Sequence, residues 1–247
     1  MKLIGRIEKL FTYPVKSMSG VAVDQALLGW HGLVGDRRLG VRKTGATSSF
    51  PWLTASKLPE LLLYHPTSCD PASEEQLPTH VRTPEGLELD IRSDELRAEI
   101  ASRAGIDIEL MSIKHGIFDD SVASIIASQT VAHVCQEGGV PTDSRRFRAN
   151  IEVSCTELDP FGEDSWVGKT IIFGESTDSP SVLINKRDVR CKMIGLDPDT
   201  AEYNPEIVKT AVRLNENNAG VYATVLRPGR LKVGDPFFRY EGSRLPG

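Results

Sequence analysis

Apolar residues in this chain come in short runs, several of them alternating with polar ones, and glycine- or proline-bearing turns separate many of the runs. A period of two marks strands that bury one face, and such frequent punctuation leaves little room for long helices. The run Ile106-Asp107-Ile108-Glu109-Leu110 alternates cleanly, and residues 3–10 do so less regularly. Further strands are predicted over 21–28, 37–42, 61–64, 147–153, 169–173, 182–185, 221–226 and 237–240. Three helices fit between them. Ser93 caps one that carries Leu96 and Ile100 on one face and stops at Gly105. Ser128 is the expected cap of a second, with Val131, Val134 and Cys135 on its apolar side and Gly138-Gly139 as its stop. Asn204-Pro205 opens a third, lined by Ile207, Val208 and Ala211. Residues 67–75 read as a loop, with Cys69 inside it. There is no strand–helix–strand alternation and no G-x-G-x-x-G, which disfavours a doubly wound nucleotide fold. The pattern describes a mainly β chain of the α+β class, a β-barrel with a few peripheral helices.

At 247 residues the chain suffices for one large domain or two interlocked ones. No apolar run approaches the ~20 residues of a membrane span. Lys2, Arg6 and Glu8 interrupt the start too early for a secretory signal, so the expected compartment is the cytoplasm. A net charge of −5 gives no global attraction to nucleic acid or to anionic lipid, and neither is an expected partner. None of the four cysteines sits in a C-x-x-C pair, and the five histidines show no H-x-x-x-H spacing. Zinc knuckles, thioredoxin-type motifs and protein-only zinc hydrolase sites are disfavoured on that ground. A serine hydrolase is set aside too, for want of G-x-S-x-G.

Cys191 stands apart from the other cysteines. Lys186, Arg187, Arg190 and Lys192 lie within five positions of it, partly opposed by Asp188. Nearby positive charge favours thiolate, the form of cysteine that ligates metals. Cys135 falls on the apolar face of a predicted helix, and Cys155 follows a strand beside Glu157. On this context alone Cys191 is also readable as a buried, inert thiol at a strand end. Basic residues recur at strand ends: Lys16 and Ser17 after Tyr13-Pro14, Arg37 after Gly35-Asp36, and Arg148 with Asn150 in Phe147-Arg148-Ala149-Asn150. Together they can wrap a phosphate, with arginine as a planar fork and lysine as a point charge. Singly, each also reads as a surface charge. The aromatic loop with Phe50, Pro51 and Trp52 reads either as a substrate-side wall or as an ordinary surface loop, and Asp197-Pro198-Asp199-Thr200 reads as a structural turn.

Taken together, YPVKS at 13–17, GDR at 35–37, FRAN at 147–150, EDSW at 163–166, RC at 190–191 with DPDT at 197–200, and PGRLKVGDP at 228–236 resemble the MOSC family, in particular the amidoxime-reducing component and its bacterial relatives. The matching segments are collinear and span nearly the whole chain. The resemblance implies a MOSC-type β-barrel domain over 116–241, preceded by an N-terminal β-barrel segment over 1–115. It implies a molybdenum–molybdopterin cofactor, with Cys191 as the molybdenum ligand and catalytic residue. Lys16, Ser17, Arg37, Arg148 and, in a less closely matched segment, Ser121 would contact the cofactor, with Asn150 and Arg190 as further contacts. Pyridoxal phosphate is not expected. The implied chemistry is reduction of small N-hydroxylated substrates, amidoximes or hydroxylamines, by oxygen-atom transfer. The sequence contains no clustered cysteines for an iron–sulfur centre, so a separate electron-donor protein is expected. Two other functions share these residues. One is a cofactor carrier or sulfur-transfer protein without turnover, and the other is a plain barrel that binds an oligonucleotide or a small anion.

Overall fold

The structure is a computed structural model and describes residues 1–69 and 76–241. Its strands and helices, in chain order, begin with β1 (Lys2–Thr12), β2 (Val21–Val23), β3 (Gln25–Gly29), β4 (Gly32–Leu33) and β5 (Leu39–Lys43). They continue with β6 (His65–Cys69), β7 (Pro78–Arg82), β8 (Glu88–Asp90), α1 (Asp94–Ala104) and β9 (Ile108–Ser112). Next come β10 (Ala123–Ala127), α2 (Ser128–Glu137), β11 (Ile151–Ser154), β12 (Thr170–Phe173) and β13 (Ser181–Val189). The last are α3 (Pro205–Asn215), β14 (Asn218–Arg227), β15 (Gly229–Lys232) and β16 (Pro236–Tyr240).

Seven strands form a closed barrel. Their order is β11-β10-β14-β13-β12-β16-β1, and pairing of β1 with β11 closes the ring. Closure leaves the seven-strand ring itself without an edge. All ring pairs are antiparallel except β10 with β11, a parallel pair that needs a crossover, and α2 lies in that crossover. The interior is filled by alternate residues, among them Ile7, Ile125, Ile151, Phe173, Ile184, Val221 and Phe237. Trp166 stands edge-on to Phe237 with ring centres 5.5 Å apart. β1 comes from the start of the chain, yet its ring neighbours come from beyond residue 150. A second core gathers Val15, Leu39, Val41, Leu61, Tyr64, Leu96 and Ile100 around α1. A third lies between α2 and α3, with Phe147 and Ile194.

The mainly β architecture and the three helices match expectation, but several bounds move for identifiable reasons. The strand predicted over 147–153 begins only at Ile151. Ser144–Phe147 is a 3-10 turn capped by Asp143, and Arg148 takes a left-handed φ of 53° that no strand residue adopts. Arg37 likewise has φ 50°, so β5 begins at Leu39. Residues 61–64 are not a strand. Pro59 starts a 3-10 helix, Pro59–Leu63, in which the adjacent Leu61 and Leu62 are both buried. The stretch 21–28 is two strands, and β9 starts two residues later than expected. The loop expected over 67–75 contains the end of β6, which carries Cys69; positions 70–75 lie outside the described residues. β10 gave no alternating signal because all five of its residues are buried.

Ser93 caps α1 by accepting from Leu96 N, and Asn204 caps α3 by accepting from Glu206 N. Ser128 does not cap α2. It is the first helical residue, and Ala127 occupies the cap position with no side-chain bond of its own. A distant side chain braces this end of the helix instead: Glu163, fully buried, accepts from Ala127 N at 3.3 Å and from Thr130 Oγ1 at 2.7 Å. Burial raises the Glu163 carboxyl to about 6 from 4.5, although those donors pull the other way. A carboxyl with a raised folded-state value contributes stability that is complete below pH ~4.5 and is lost as pH rises through ~6, a change of about 2 kcal/mol. Glu163→Gln is expected to remove that decline between pH 4.5 and 7, as measured by denaturant unfolding; an identical decline in both proteins would contradict the assignment.

Candidate functional site

A cleft of about 440 Å³ lies against the outer surface of the barrel. Ser124 and Tyr222 reach it from β10 and β14, between neighbours (Ala123 and Ile125, Val221 and Ala223) that face the barrel core. Most of the rest comes from three groups of residues.

The first group follows β1. Asp36, fully buried, accepts from Tyr13 N at 2.7 Å, and Lys16 N donates to Leu39 O at 2.8 Å, so the turn after β1 is tied to residues 36–39. Ser17 adopts φ 70°, and it and Lys16 both line the cleft. Lys16 is only 4% exposed. Its Nζ donates to Ile117 O at 3.2 Å and to Asp119 Oδ1 at 2.7 Å, and sits 5.6 Å from the Phe50 ring centre. Burial lowers the lysine's pKa, and Asp119 partly restores it.

The second group pairs two arginines, Arg37 and Arg148, on the Tyr13 ring. Arg37 donates to Asp36 at 2.6 Å and to Arg148 O at 3.0 Å. Burial works against its charge, but Asp36, Tyr13 and Asp119 together outweigh it, so its pKa rises. The Arg37 and Arg148 guanidinium carbons lie 4.8 and 4.3 Å from the centre of the Tyr13 ring. Burial pushes the Tyr13 phenol up to about 12. Arg148 differs from Arg37 in having no acceptor: among the described residues its guanidinium makes no hydrogen bond and no ion pair. Burial, with Arg37 adding repulsion, lowers its pKa to about 10. A bound anion would supply what Arg148 lacks.

The third group follows β13. Arg190 N donates to Asn217 O at 2.8 Å, and Asn217 Nδ2 donates to Arg190 O at 2.6 Å, with Asn217 held at φ 66°. The Arg190 side chain ion-pairs with buried Asp188 and donates to Phe147 O. Cys191 comes next, exposed, at the start of the Lys192–Gly195 turn. The reading of Cys191 as a buried thiol therefore fails. Its basic sequence neighbours are each engaged: Lys186 with Asp120, Arg187 with Asp164 and Glu216, and Lys192 with Ser56 O and the Tyr203 ring.

Lys16, Ser17, Arg37, Arg148, Arg190 and Cys191 thus share one cleft. Two other named residues do not line it. Ser121 Oγ donates to Ala223 O at 2.8 Å. Asn150 is buried, accepts from Ser124 N and donates to Phe11 O, which ties β10 to the end of β1. Phe50, Thr54 and Ser56 place the aromatic loop on the cleft wall. The Asp197 turn is structural: Oδ1 accepts from Asp199 N and Thr200 N, and the second oxygen takes Arg146. Among the described residues, no group of three or more His, Cys, Asp or Glu could hold a metal ion, and no helix is long and apolar enough to cross a membrane.

Comparison with known families decides what this frame is. The MOSC domain profile matches residues 112–237, and the profile of the MOSC N-terminal beta barrel domain matches 4–131. The chain belongs to the MOSC family. No curated protein matches it by sequence. Among solved structures, the YUAD protein from Bacillus subtilis is similar over 94% of this chain and 93% of its own, with 18% identity and a TM-score of 0.51, a likeness of fold. YiiM from Geobacillus stearothermophilus aligns over 50% of this chain and 56% of its own, at 18% identity and a TM-score of 0.38. YiiM from Escherichia coli aligns over the same shares at 12% identity and a TM-score of 0.36.

Around this MOSC cleft, reading the sequence missed the supporting roles of Asp188, which lines it, and of Asp36, Tyr13 and Asn217, which brace its lining residues from behind. Only Asn217 left a clear signal, as the turn-prone Asn-Glu-Asn-Asn stretch at 215–218. Exposure separates the thiols. Burial raises the Cys135 pKa, and Cys155 is pushed up to about 12 by burial and by Glu163. Iodoacetamide followed by peptide mass spectrometry is expected to label Cys191 in the folded protein and to spare Cys135 and Cys155; equal labelling of all three would contradict the placement.

Proposed function

We propose that this cleft binds a molybdenum–pterin cofactor and that the protein is an oxidoreductase acting on small N-hydroxylated compounds, with electrons from a separate donor protein. The observation that carries the reading is Arg148, a guanidinium without an acceptor among the described residues, set beside Lys16 and Arg37 in a cleft that also opens to an exposed thiol. The donor set suits such a group. Its phosphate needs several charged donors in one place, and each charge-assisted bond contributes roughly 1.5–3 kcal/mol. Its soft metal suits a thiolate. When bound, the cofactor supplies two-electron oxygen-atom chemistry.

Lys16, Ser17, Arg37 and Arg148 would hold the phosphate and pterin end. Arg190, fixed by Asp188 and the Asn217 clamp, holds the peptide before Cys191 in place, and Cys191 would be the metal ligand. Phe50, Thr54 and Ser56 form the wall beside which a small substrate would sit, with Phe50 shielding the Lys16 ammonium from water.

The test is reduction of benzamidoxime by cofactor-loaded protein with an artificial electron donor. Cys191→Ser is expected to cut kcat at least about 100-fold while leaving the unfolding midpoint unchanged, since losing a direct ligand should cost more than losing a supporting contact. Lys16→Ala and Arg148→Ala are expected to weaken cofactor retention about 10- to 100-fold instead. Wild-type turnover by Cys191→Ser would overturn the ligand assignment. Firm retention of the cofactor without turnover would assign the chain to cofactor carriage.

A further inference from the structure

The acid paired with Lys16, Asp119, sits in the cleft on a connecting segment. Residues 113–121 cross from β9 to β10 as a strap. Ile113 N donates to Arg38 O at 2.8 Å, Ile117 N donates to Arg37 O at 2.8 Å, and Ser121 Oγ donates to Ala223 O at 2.8 Å. Asp119 lies between the last two anchors. Its side chain is 66% exposed, yet its Oδ1 is 2.7 Å from the Nζ of Lys16, whose own side chain is 5% exposed. The same carboxylate also acts favourably on the charges of Arg37 and Arg148. One acid therefore answers all three cations of the seat. The two members of its ion pair are unequal in freedom. Lys16 is packed in and also bonded to Ile117 O, whereas Asp119 can turn into solvent about its side-chain torsions with both anchors kept.

We propose that Asp119 is a resident counter-ion that sets which anions the seat accepts. Its carboxylate occupies the position on Lys16 that an incoming phosphate group takes, and it swings into water when that ligand enters. An ammonium has three donors, and Ile117 O and Asp119 use two of them here. A monocarboxylate arriving at Lys16 exchanges one carboxylate for another and gains little. A phosphate with two negative charges answers Arg148 as well as Lys16 and displaces the acid. This inference rests on the anion-binding reading of the cleft, and the experiment separates the failure of one from the failure of the other.

Titration calorimetry of the cofactor-free protein with inorganic phosphate and with acetate provides the test, in wild type, Asp119→Asn and Asp120→Asn. Asp119→Asn is expected to bind phosphate about tenfold tighter than wild type, as a partly buried ion pair no longer has to be broken. Acetate is expected to bind Asp119→Asn measurably and wild type not at all. Asp120→Asn removes the same charge from the same strap, but Asp120 faces the half-exposed Lys186, so its change should stay below about threefold. Equal phosphate affinity in wild type and Asp119→Asn would overturn the proposal and leave the anion seat standing. So would an equal gain in Asp120→Asn, which would mean diffuse charge rather than competition for Lys16. If phosphate bound none of the three proteins, the seat itself would not be an anion site, and the proposal would fall with it.

Discussion

The pairing of β1 with β11 is the constraint on which the rest depends. It closes the barrel, and it does so with Leu10 opposite Ile151 and Phe11 N bonded to Asn150 O. In an antiparallel pair the end of one strand lies beside the start of the other. The chain leaving β1 therefore delivers Tyr13, Lys16 and Ser17 to the place from which the chain entering β11 delivers Phe147 and Arg148. Segments more than 130 residues apart in sequence become one site because one hydrophobic core needs its last edge closed.

What closure brings together, backbone conformation aims. Ser17, Arg37, Arg148 and Asn217 all hold positive φ, half of the eight non-glycine residues that do so among the described residues. L-residues adopt this region at a cost of order 1 kcal/mol, and they keep it only where the surroundings hold them there. Here Asp36 holds Arg37, and the Asn217 amide and carbonyl hold Arg190. Arg37 and Arg190 are thus held before any ligand arrives, so binding need not spend free energy on ordering these two side chains. The cost appears as depressed proton affinity at Lys16 and Arg148, both caused first by burial.

Much of this was legible in the sequence, and the parts that were not have physical reasons. The caps at Ser93 and Asn204 are local chemistry and read correctly. The start of α2 has no side-chain cap and is braced by Glu163, distant in sequence, which no local pattern could reveal. β10 is buried on both faces and so carries no period. Lys16, Arg37, Arg148 and Cys191 were visible as charge and thiol at strand ends, and they do converge. The basic run around Cys191 misled in one respect. Alternation along β13 and the turn after it carry Lys186, Arg187 and Lys192 to partners of their own and leave only Arg190 to the cleft. Ser121 and Asn150 were visible as polar residues, but their side chains are engaged with Ala223 O and with Ser124 N and Phe11 O, and neither lines the cleft.

The central claim is that the cleft holds a molybdenum–pterin cofactor. The most direct measurement is molybdenum by mass spectrometry, and pterin by fluorescence after oxidation, on wild-type protein purified from cells that make the cofactor. The account predicts close to one metal and one pterin per chain. Protein that is folded and monodisperse yet carries neither would contradict it, and would leave the MOSC fold without the MOSC-type cofactor chemistry.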